Sequence, residues 1–391
     1  MAYASSKYTQ HDISAIKASI PLLNVVQEAG VELKKQGREW IGLSPFKYEN
    51  TPSFFVDPQK GVFKCFASGE GGDVIRFVQL FENCDFSTAL TRLKERAGLF
   101  TSEAKAQAVK RFEQQKKTSE LAEQKRKQRN ICRAQEIWAS ANSAEHTPVE
   151  TYLLSRGINL DVLQNVYGWR VPRYLRYLEL PIEDLGHVPS MVGVLTKSFS
   201  GNVEGVHRTY LTRNGTHKAS IPTPKMTLGS VWGSLGWLYT PHDHKSGDKK
   251  NAQTSPTPDT LILGEGYETT LSVMSVLARH GKKVYAASAI SLNNLAGAGL
   301  GKGDRHPHIE EKRLPSTRPD PARPGIMLTP SSFENTVKHI LILQDADGKD
   351  ALATDAFVRR AAGKFKNAGF QVRVAMPELG KDFNDMVGEA A

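Results

Sequence analysis

The sequence predicts an α/β multidomain protein whose last third is a parallel sheet with helices on both faces. Short apolar runs, TLILG, KVYAAS, HILILQ and QVRVAM, alternate with stretches of helical length from residue 259 onward, as buried strands joined through helices do. Ahead of them, β-branched alternation is broken by GN and NG turns, the mark of antiparallel strands. At 391 residues the chain is long enough for two or three domains, at roughly 150 residues each.

The elements follow in order. Residues 1–100 read as a small β-rich domain: a helical stretch from DISAIK leads into ELKKQGREW, and WIGLSPFKYENTPSFFVDPQKGVFKCFASGEGG alternates apolar runs with Pro, Gly and Asn turns. Two short helices then follow, the first capped by Asp73, with Val74, Phe77, Val78 and Phe81 on one face. Residues 101–145 form a basic helical linker. Between 101 and 136 it has ten basic residues against five glutamates and neither Gly nor Pro, so it reads as a solvated spacer or an arm along nucleic acid. Residues 146–258 open with Thr147, Pro148 and Glu150 as a capping-box start, Gly157 closing the short helix. A second helix follows in NLDVLQNVYGW, a β-rich segment that includes MVGVLTKSFSGNVEGVHRTYLTRNGTHKASI runs to about 240, and residues 241–258 read as a loop. In residues 259–391, helices are expected from about Glu268 to His280 and from about Ala351 to Lys366. The break from 300 to 336, with six prolines between Pro307 and Pro330, reads as a mobile surface insertion.

Composition narrows the function. With 39% hydrophobic and 24% charged residues and no long uninterrupted apolar stretch, integral membrane readings are out. MAYASSKYTQ has no apolar signal core, so a cytoplasmic protein is expected, and three cysteines, Cys65, Cys84 and Cys132, exclude a disulfide framework. A net charge of +10 suits a polyanionic partner, nucleic acid first.

Chemistry belongs just past the carboxyl ends of parallel strands. Glu265 follows TLILG, and Asp345 and Asp347 follow HILILQ. Residues two apart in extended chain face one side, so this Asp pair can converge on one point. Three acids gathered there call for a hard cation, Mg²⁺ or Mn²⁺, and hence for metal-assisted phosphoryl chemistry.

The combination of EGYET after one strand and DADG after a later one resembles the TOPRIM fold of bacterial-type primases, type IA topoisomerases and certain nucleases. The resemblance implies metal ligands at Asp345 and Asp347 and a general acid/base or metal-supporting role for Glu265. GKDFNDM is similar to the stretch that closes this unit in mobile-element primases, and Asp382 there is a further metal candidate or a helix cap. Upstream, ELKKQG, SPFKYENTPSF, FKCFASGEGG and DVIRFV resemble the primase zinc-ribbon domain. YLLSRGI and HRTYL…GTHKAS are similar to the amino-terminal part of the primase polymerase core, in the divergent form carried by phages and plasmids.

In that family zinc is held by Cys-x-x-His and Cys-x-x-Cys, and the matching positions are Ser44, Lys47, Cys65 and Ser68. A structural zinc needs four N or S donors, so zinc is not expected. The ribbon is expected to hold through Phe46, Phe54, Phe55, Val56, Phe63 and Phe66, with Cys65 as a small core residue. Lys34, Lys35, Arg38 and Lys64 are the expected phosphate contacts to single-stranded DNA, with Trp40 or Phe63 stacking on bases. The resemblance places Arg208 and Lys218 toward nucleotide or template.

The expected function is a DNA primase that makes short RNA primers on single-stranded DNA from nucleoside triphosphates by metal-dependent nucleotidyl transfer. No GxxxxGK[ST] occurs, so unwinding would fall to a separate helicase. The alternatives are a non-catalytic DNA-binding replication accessory protein of a phage or plasmid and a TOPRIM nuclease. A type IA topoisomerase is least favoured, because the chain is short for one.

Overall fold

The computed structural model describes residues 8–97, 102–199, 201–246, 257–309, 312–344, 350–377 and 383. The chain divides into two compact units, residues 1–125 with 306–312, and residues 126–305 with 313–391.

The first unit contains α1 (Gln10–Ser19), α2 (Leu22–Glu28), β1 (Leu33–Gln36), β2 (Glu39–Gly42), β3 (Phe54–Asp57), β4 (Val62–Cys65), β5 (Gly71–Gly72), α3 (Val74–Phe81) and α4 (Phe86–Arg96). The five strands form an antiparallel sheet in chain order. Alternation fixes the faces: Phe54 and Val56 on β3 and Phe63 and Cys65 on β4 are buried. They pack with Val74, Phe77 and Val78 of α3 and with α1 and α2. Asp73 caps α3 as expected, its carboxylate accepting from the Ile75 and Arg76 amides. The aromatic core differs in membership from the expected one. Phe46, Phe54, Phe63 and Phe77 meet with ring centroids between 5.5 and 6.2 Å, whereas Phe66 is 61% exposed. Phe55 and Phe66 meet edge to face at 5.4 Å; strand parity puts Phe55 on the outer face.

A long helix, α5 (Ser102–Ser140), carries the chain from the first unit into the second. Its polar composition fits the expected solvated helix, but its last turns are not solvated all round. Ala134 is buried, and Ile137 and Trp138 pack on the outer face of the middle sheet. Arg176 lies 4.2 Å over the Trp138 ring and donates to the Trp138 carbonyl.

The second unit continues with β6 (Asn142–Ser143), α6 (Pro148–Ser155), α7 (Leu160–Tyr167), β7 (Leu175–Ile182), β8 (Gly186–Leu195), β9 (Gly205–Tyr210), β10 (Lys225–Gly229), β11 (Gly236–Tyr239) and α8 (Pro241–Ser246). Then come β12 (Thr260–Gly264), α9 (Tyr267–Arg279), β13 (Tyr285–Ser288), α10 (Leu292–Ala296), β14 (His339–Leu343), α11 (Ala351–Asn367) and β15 (Gln371–Ala375). Thr147 caps α6 with Pro148 in the first turn, while the Glu150 carboxylate accepts from the His146 amide at 2.6 Å, one residue before the expected capping-box partner.

Two sheets result. The middle sheet is antiparallel with order β10-β9-β8-β7-β6; the last sheet has order β11-β13-β12-β14-β15. In the last sheet β13, β12, β14 and β15 are parallel, and β11 closes one edge antiparallel to β13. The chain segment read as the end of the middle domain thus supplies an edge to the final sheet. The 300–336 insertion is also more tied down than its composition predicts. Ile326, Leu328 and Phe333 are buried, Arg360 of α11 donates to the Ser316 carbonyl at 2.6 Å, and Lys364 donates to the Leu295 and Pro324 carbonyls at 2.6 and 2.8 Å.

Candidate functional site

Glu265 stands directly after β12, half-buried, at the carboxyl edge of the parallel strands. Its carbonyl accepts from Ser288 Oγ at the end of β13, at 2.7 Å. The neighbouring β14 ends at Leu343, its register with β12 pairing Leu263 with Ile342. Asp345, Asp347 and Asp382, the other expected metal ligands, lie outside the described residues. Among the described residues no group of three His, Cys, Asp or Glu side chains forms a metal cluster.

The turn after Glu265 carries a cluster that sequence reasoning missed. Glu268 sits in the first turn of α9 and is buried, where the helix N-terminus favours a negative charge. Lys225 of β10 approaches it at 2.9 Å, Lys218 at 3.9 Å, and the Tyr152 hydroxyl of α6 donates to it at 2.8 Å. Burial by itself raises a carboxyl pKa, but the charges of Lys225 and Lys218 and the hydrogen bonds outweigh it and hold Glu268 at about 2. Lys218 is shifted the other way from an ordinary paired lysine. Desolvation and the like charge of Lys225 lower its pKa, with Glu268 opposing them only in part. The two lysines therefore compete for one carboxylate.

The elements bring these groups together for identifiable reasons. On β9, His207 and Thr209 face inward, and Lys225 pairs with Thr209 in the register with β10, so Lys225 points to the same side. Tyr267 aims its ring at the backbones of β8 and β11: a Cβ on Gly193 or Gly236 would lie 2.3 or 2.0 Å from its hydroxyl. That close approach needs glycine, and it leaves the Tyr267 hydroxyl buried without a hydrogen-bond partner among the described residues. His207, buried against the Tyr267 ring at 5.6 Å, is held neutral, its pKa pushed down to about 4 by burial and by the Lys225 charge.

Beside this cluster lies a pocket of about 560 Å³ lined by Tyr152, Ser155, Arg156, Thr216, His217 and Lys218. Arg156 and Lys218 bring two basic side chains to its wall, and Lys225 stands beside them at Glu268. Such a pocket suits a phosphorylated ligand. Arg208 and Lys218, the two basic residues expected to face nucleotide or template, lie on different faces of the middle sheet. Lys218 lines the pocket, but Arg208 follows strand alternation to the opposite face with Val206 and Tyr210, its Nη1 3.3 Å from the Tyr210 hydroxyl.

In the first unit, Lys34, Ile41, Phe55 and Lys64 form one cross-strand row on the outer face. The Lys64 ammonium lies 4.7 Å over Phe66. Lys34, Lys35 and Arg38 are exposed. The stacking candidates change: Phe63 is buried and Trp40 packs against the core, so the aromatic on display beside Lys64 is Phe66. At the family's zinc positions, the Cys65 thiol donates to Ser44 Oγ at 3.1 Å, and the Lys47 amide donates to the same oxygen at 3.1 Å. One thiol, two hydroxyls and an ammonium do not make a tetrahedral zinc site.

Comparison with known proteins bears on both units. Residues 8–109 match the family described as CHC2 zinc finger, and residues 128–238 match a domain of unknown function, DUF7146. The DNA primase of Halalkalibacterium halodurans is 41% identical over 106 residues, 27% of this chain and 18% of that protein. The DNA primase of Treponema pallidum is 38% identical over 94 residues, 24% and 15% of the two chains. The DNA primase of Campylobacter jejuni is 25% identical over 182 residues, 45% and 28% of the two chains. The chain thus spans less than a third of the length of these curated relatives. The solved zinc-binding and RNA polymerase domains of the Aquifex aeolicus primase align with 97% of this chain and 83% of that one at 19% identity, with a TM-score of 0.32, too loose an overlay to assign a fold. The amino-terminal region is of DNA primase type, as its motifs imply. The matched family is described as a zinc finger, so the comparison does not support the expectation that zinc is absent; the donor set in this chain is what speaks against the ion. No helix among the described residues is long and apolar enough to cross a membrane.

Proposed function

We propose that this protein is a cytoplasmic, primase-type nucleotidyltransferase that extends short RNA primers on single-stranded DNA. The observation that carries the reading is the cationic pocket of Arg156 and Lys218, tied through Glu268 to the turn that bears Glu265, on a chain that also carries a primase-type ribbon.

Asp345 and Asp347, with Glu265 and Asp382, would hold Mg²⁺ or Mn²⁺, whose charge would neutralise the reacting phosphate and favour the attacking hydroxylate; four carboxylates are the donor chemistry such hard cations take. The chain's own groups do the rest. Arg156 and Lys218 hold the triphosphate by charge-assisted hydrogen bonds, which places the α-phosphate for attack by the 3′-hydroxyl of the preceding nucleotide while pyrophosphate departs. Lys34, Lys35, Arg38 and Lys64 bind template phosphates, and Phe66 stacks on a base. Arg208, on the far face of the middle sheet, serves the template or that sheet's packing rather than the triphosphate. The ribbon works without zinc. A separate helicase supplies unwinding, and the divergent ribbon fits a mobile-element replication system in a TOPRIM-type framework.

The test is primer synthesis on single-stranded DNA with labelled nucleotides and Mg²⁺ or Mn²⁺, comparing the intact chain with Glu265→Gln, Asp345→Asn and Asp347→Asn. Short products that vanish in all three variants are expected. The lost zinc donors favour one second reading, a DNA-binding accessory protein, which would give salt-sensitive binding and no product. Strand cleavage in place of synthesis would mark a nuclease.

A further inference from the structure

A structural zinc does mechanical work: it ties together two loops that a small sheet cannot hold by packing alone. In this ribbon the two loops are the β2–β3 connection, residues 43–53, and the segment that follows β4, residues 66–70. The positions where the ion would sit are spanned instead by a continuous chain of hydrogen bonds.

Its centre is Glu49, a half-buried carboxylate. One oxygen accepts from the Ser44 amide at 2.7 Å and from the Ser53 amide at 3.1 Å; the other accepts from the Ser53 hydroxyl at 2.6 Å. From Ser44 the chain continues on one side: its Oγ accepts from the Phe46 and Lys47 amides and from the Cys65 thiol, each at 3.1 Å. From Ser53 it continues on the other: its Oγ accepts from the Ala67 amide at 3.1 Å, and its carbonyl accepts from the Phe66 amide at 3.0 Å. The loop before β3 is thus joined to the end of β4 twice, at Cys65 and at Phe66–Ala67.

We propose that Glu49, acting with Ser44 and Ser53, replaces the metal centre as the tie between the ribbon's two loops. The inference rests on the zinc-free reading of the ribbon. Its chemistry is that of a carboxylate collecting several N–H and O–H donors, each bond charge-assisted. These are the local bonds that a short loop uses to satisfy its own backbone. The single remaining thiol is engaged with a hydroxyl, Lys47 brings a cation where a ligand is needed, and Phe46 anchors the same loop in the aromatic core. A tie of this kind contains no metal to extract and no thiolate pair to oxidise, so template binding through Lys64 and Phe66 is insensitive to chelators and to thiol oxidants.

The experiment uses the full chain. Bound zinc is measured by elemental analysis, and amide hydrogen exchange is followed in peptides covering residues 43–57 and 64–70, with and without EDTA. Glu49→Gln and Ser53→Ala are compared with the unchanged chain. No zinc, no effect of EDTA, and exchange at the Ser44, Ser53 and Ala67 amides faster by roughly tenfold or more in Glu49→Gln are expected, the factor that one such bond supplies. Ser53→Ala, which keeps the carboxylate, is expected to loosen Ala67 alone and covers the case in which Glu49→Gln does not fold. One zinc per chain, with exchange accelerated by EDTA, would overturn the zinc-free reading. A zinc-free chain whose Glu49→Gln and Ser53→Ala variants exchange like the original would leave that reading standing and sink the tie.

Discussion

Lys225→Met isolates the buried charge at the centre of the second unit. In the native chain the Glu268 side chain is 6% exposed and Lys225 lies 2.9 Å from it. After substitution the carboxylate keeps Lys218 at 3.9 Å and the Tyr152 hydroxyl at 2.8 Å. Removing one partner of a buried pair costs about 3–5 kcal/mol, and the surviving partners place this case at the low end. The pKa gives a second route to the size. Moving the Glu268 carboxyl from 4.5 to about 2 corresponds to about 3 kcal/mol, of which Lys225 supplies the largest favourable share. A loss of about 2–3 kcal/mol follows, or roughly 5–10 °C in the melting of the second unit, at roughly 2–4 °C per kcal/mol for a unit of this size. The sign with pH is fixed. A carboxyl whose folded pKa lies below its unfolded one stabilises fully above the unfolded value and loses that contribution as pH falls through the folded one. The gap between the native chain and Lys225→Met should therefore narrow as pH is lowered from about 4.5 toward about 2. Calorimetry across that range checks it, with Lys225→Met/Glu268→Met as the control that removes both charges and recovers most of the loss. A single variant costing under about 0.5 kcal/mol, or a double variant no more stable than the single, would refute the buried-pair argument.

Three further outcomes follow from the same geometry. His207 has its pKa held at about 4, so stability should fall as pH drops from about 6.5 toward about 4, by up to about 3 kcal/mol; His207→Phe should flatten that slope in urea titrations at several pH values. Gly236→Ala puts a methyl 2.0 Å from the Tyr267 hydroxyl and should cost about 2–4 kcal/mol, whereas Tyr267→Phe, which removes a buried hydroxyl that has no partner among the described residues, should cost little in the same melting assay. On the proposed template surface, Phe66→Ala should weaken single-stranded DNA binding by about 1–3 kcal/mol, and Lys64→Ala should lower the salt dependence of that binding by about one unit of slope, both read by fluorescence anisotropy across a salt series.

What the sequence displayed and what it concealed divide along physical lines. TLILG and HILIL were legible because a strand buried on both faces must be apolar at every position, and no helix of five residues stands alone. β11 was not, because its partner β13 lies some fifty residues further on and nothing within Gly236–Tyr239 states which sheet it joins. Aromatic roles in the ribbon turned on one residue of parity: Phe63 and Cys65 face the core, so Lys64 and Phe66 belong to the outer side. The same alternation separates Arg208 from His207 on β9, and with it from the cluster around Lys218, although HRTYL…GTHKAS reads as one phrase. Glu268 was hidden for a different reason. A glutamate in the first turn of a helix is ordinarily a solvated partner of the helix dipole, whereas here Tyr152 of α6, Lys225 of β10 and Lys218 meet it in a buried place. Glu49 was hidden likewise, since its neighbours Ser44 and Ser53 are five and four residues away and such spacing occurs in any polar loop. In both places a carboxylate collects donors that no periodicity announces: Lys225, Lys218 and the Tyr152 hydroxyl at Glu268, and the Ser44 and Ser53 amides with the Ser53 hydroxyl at Glu49. The proposed function therefore leans most on residues whose burial the tertiary fold creates.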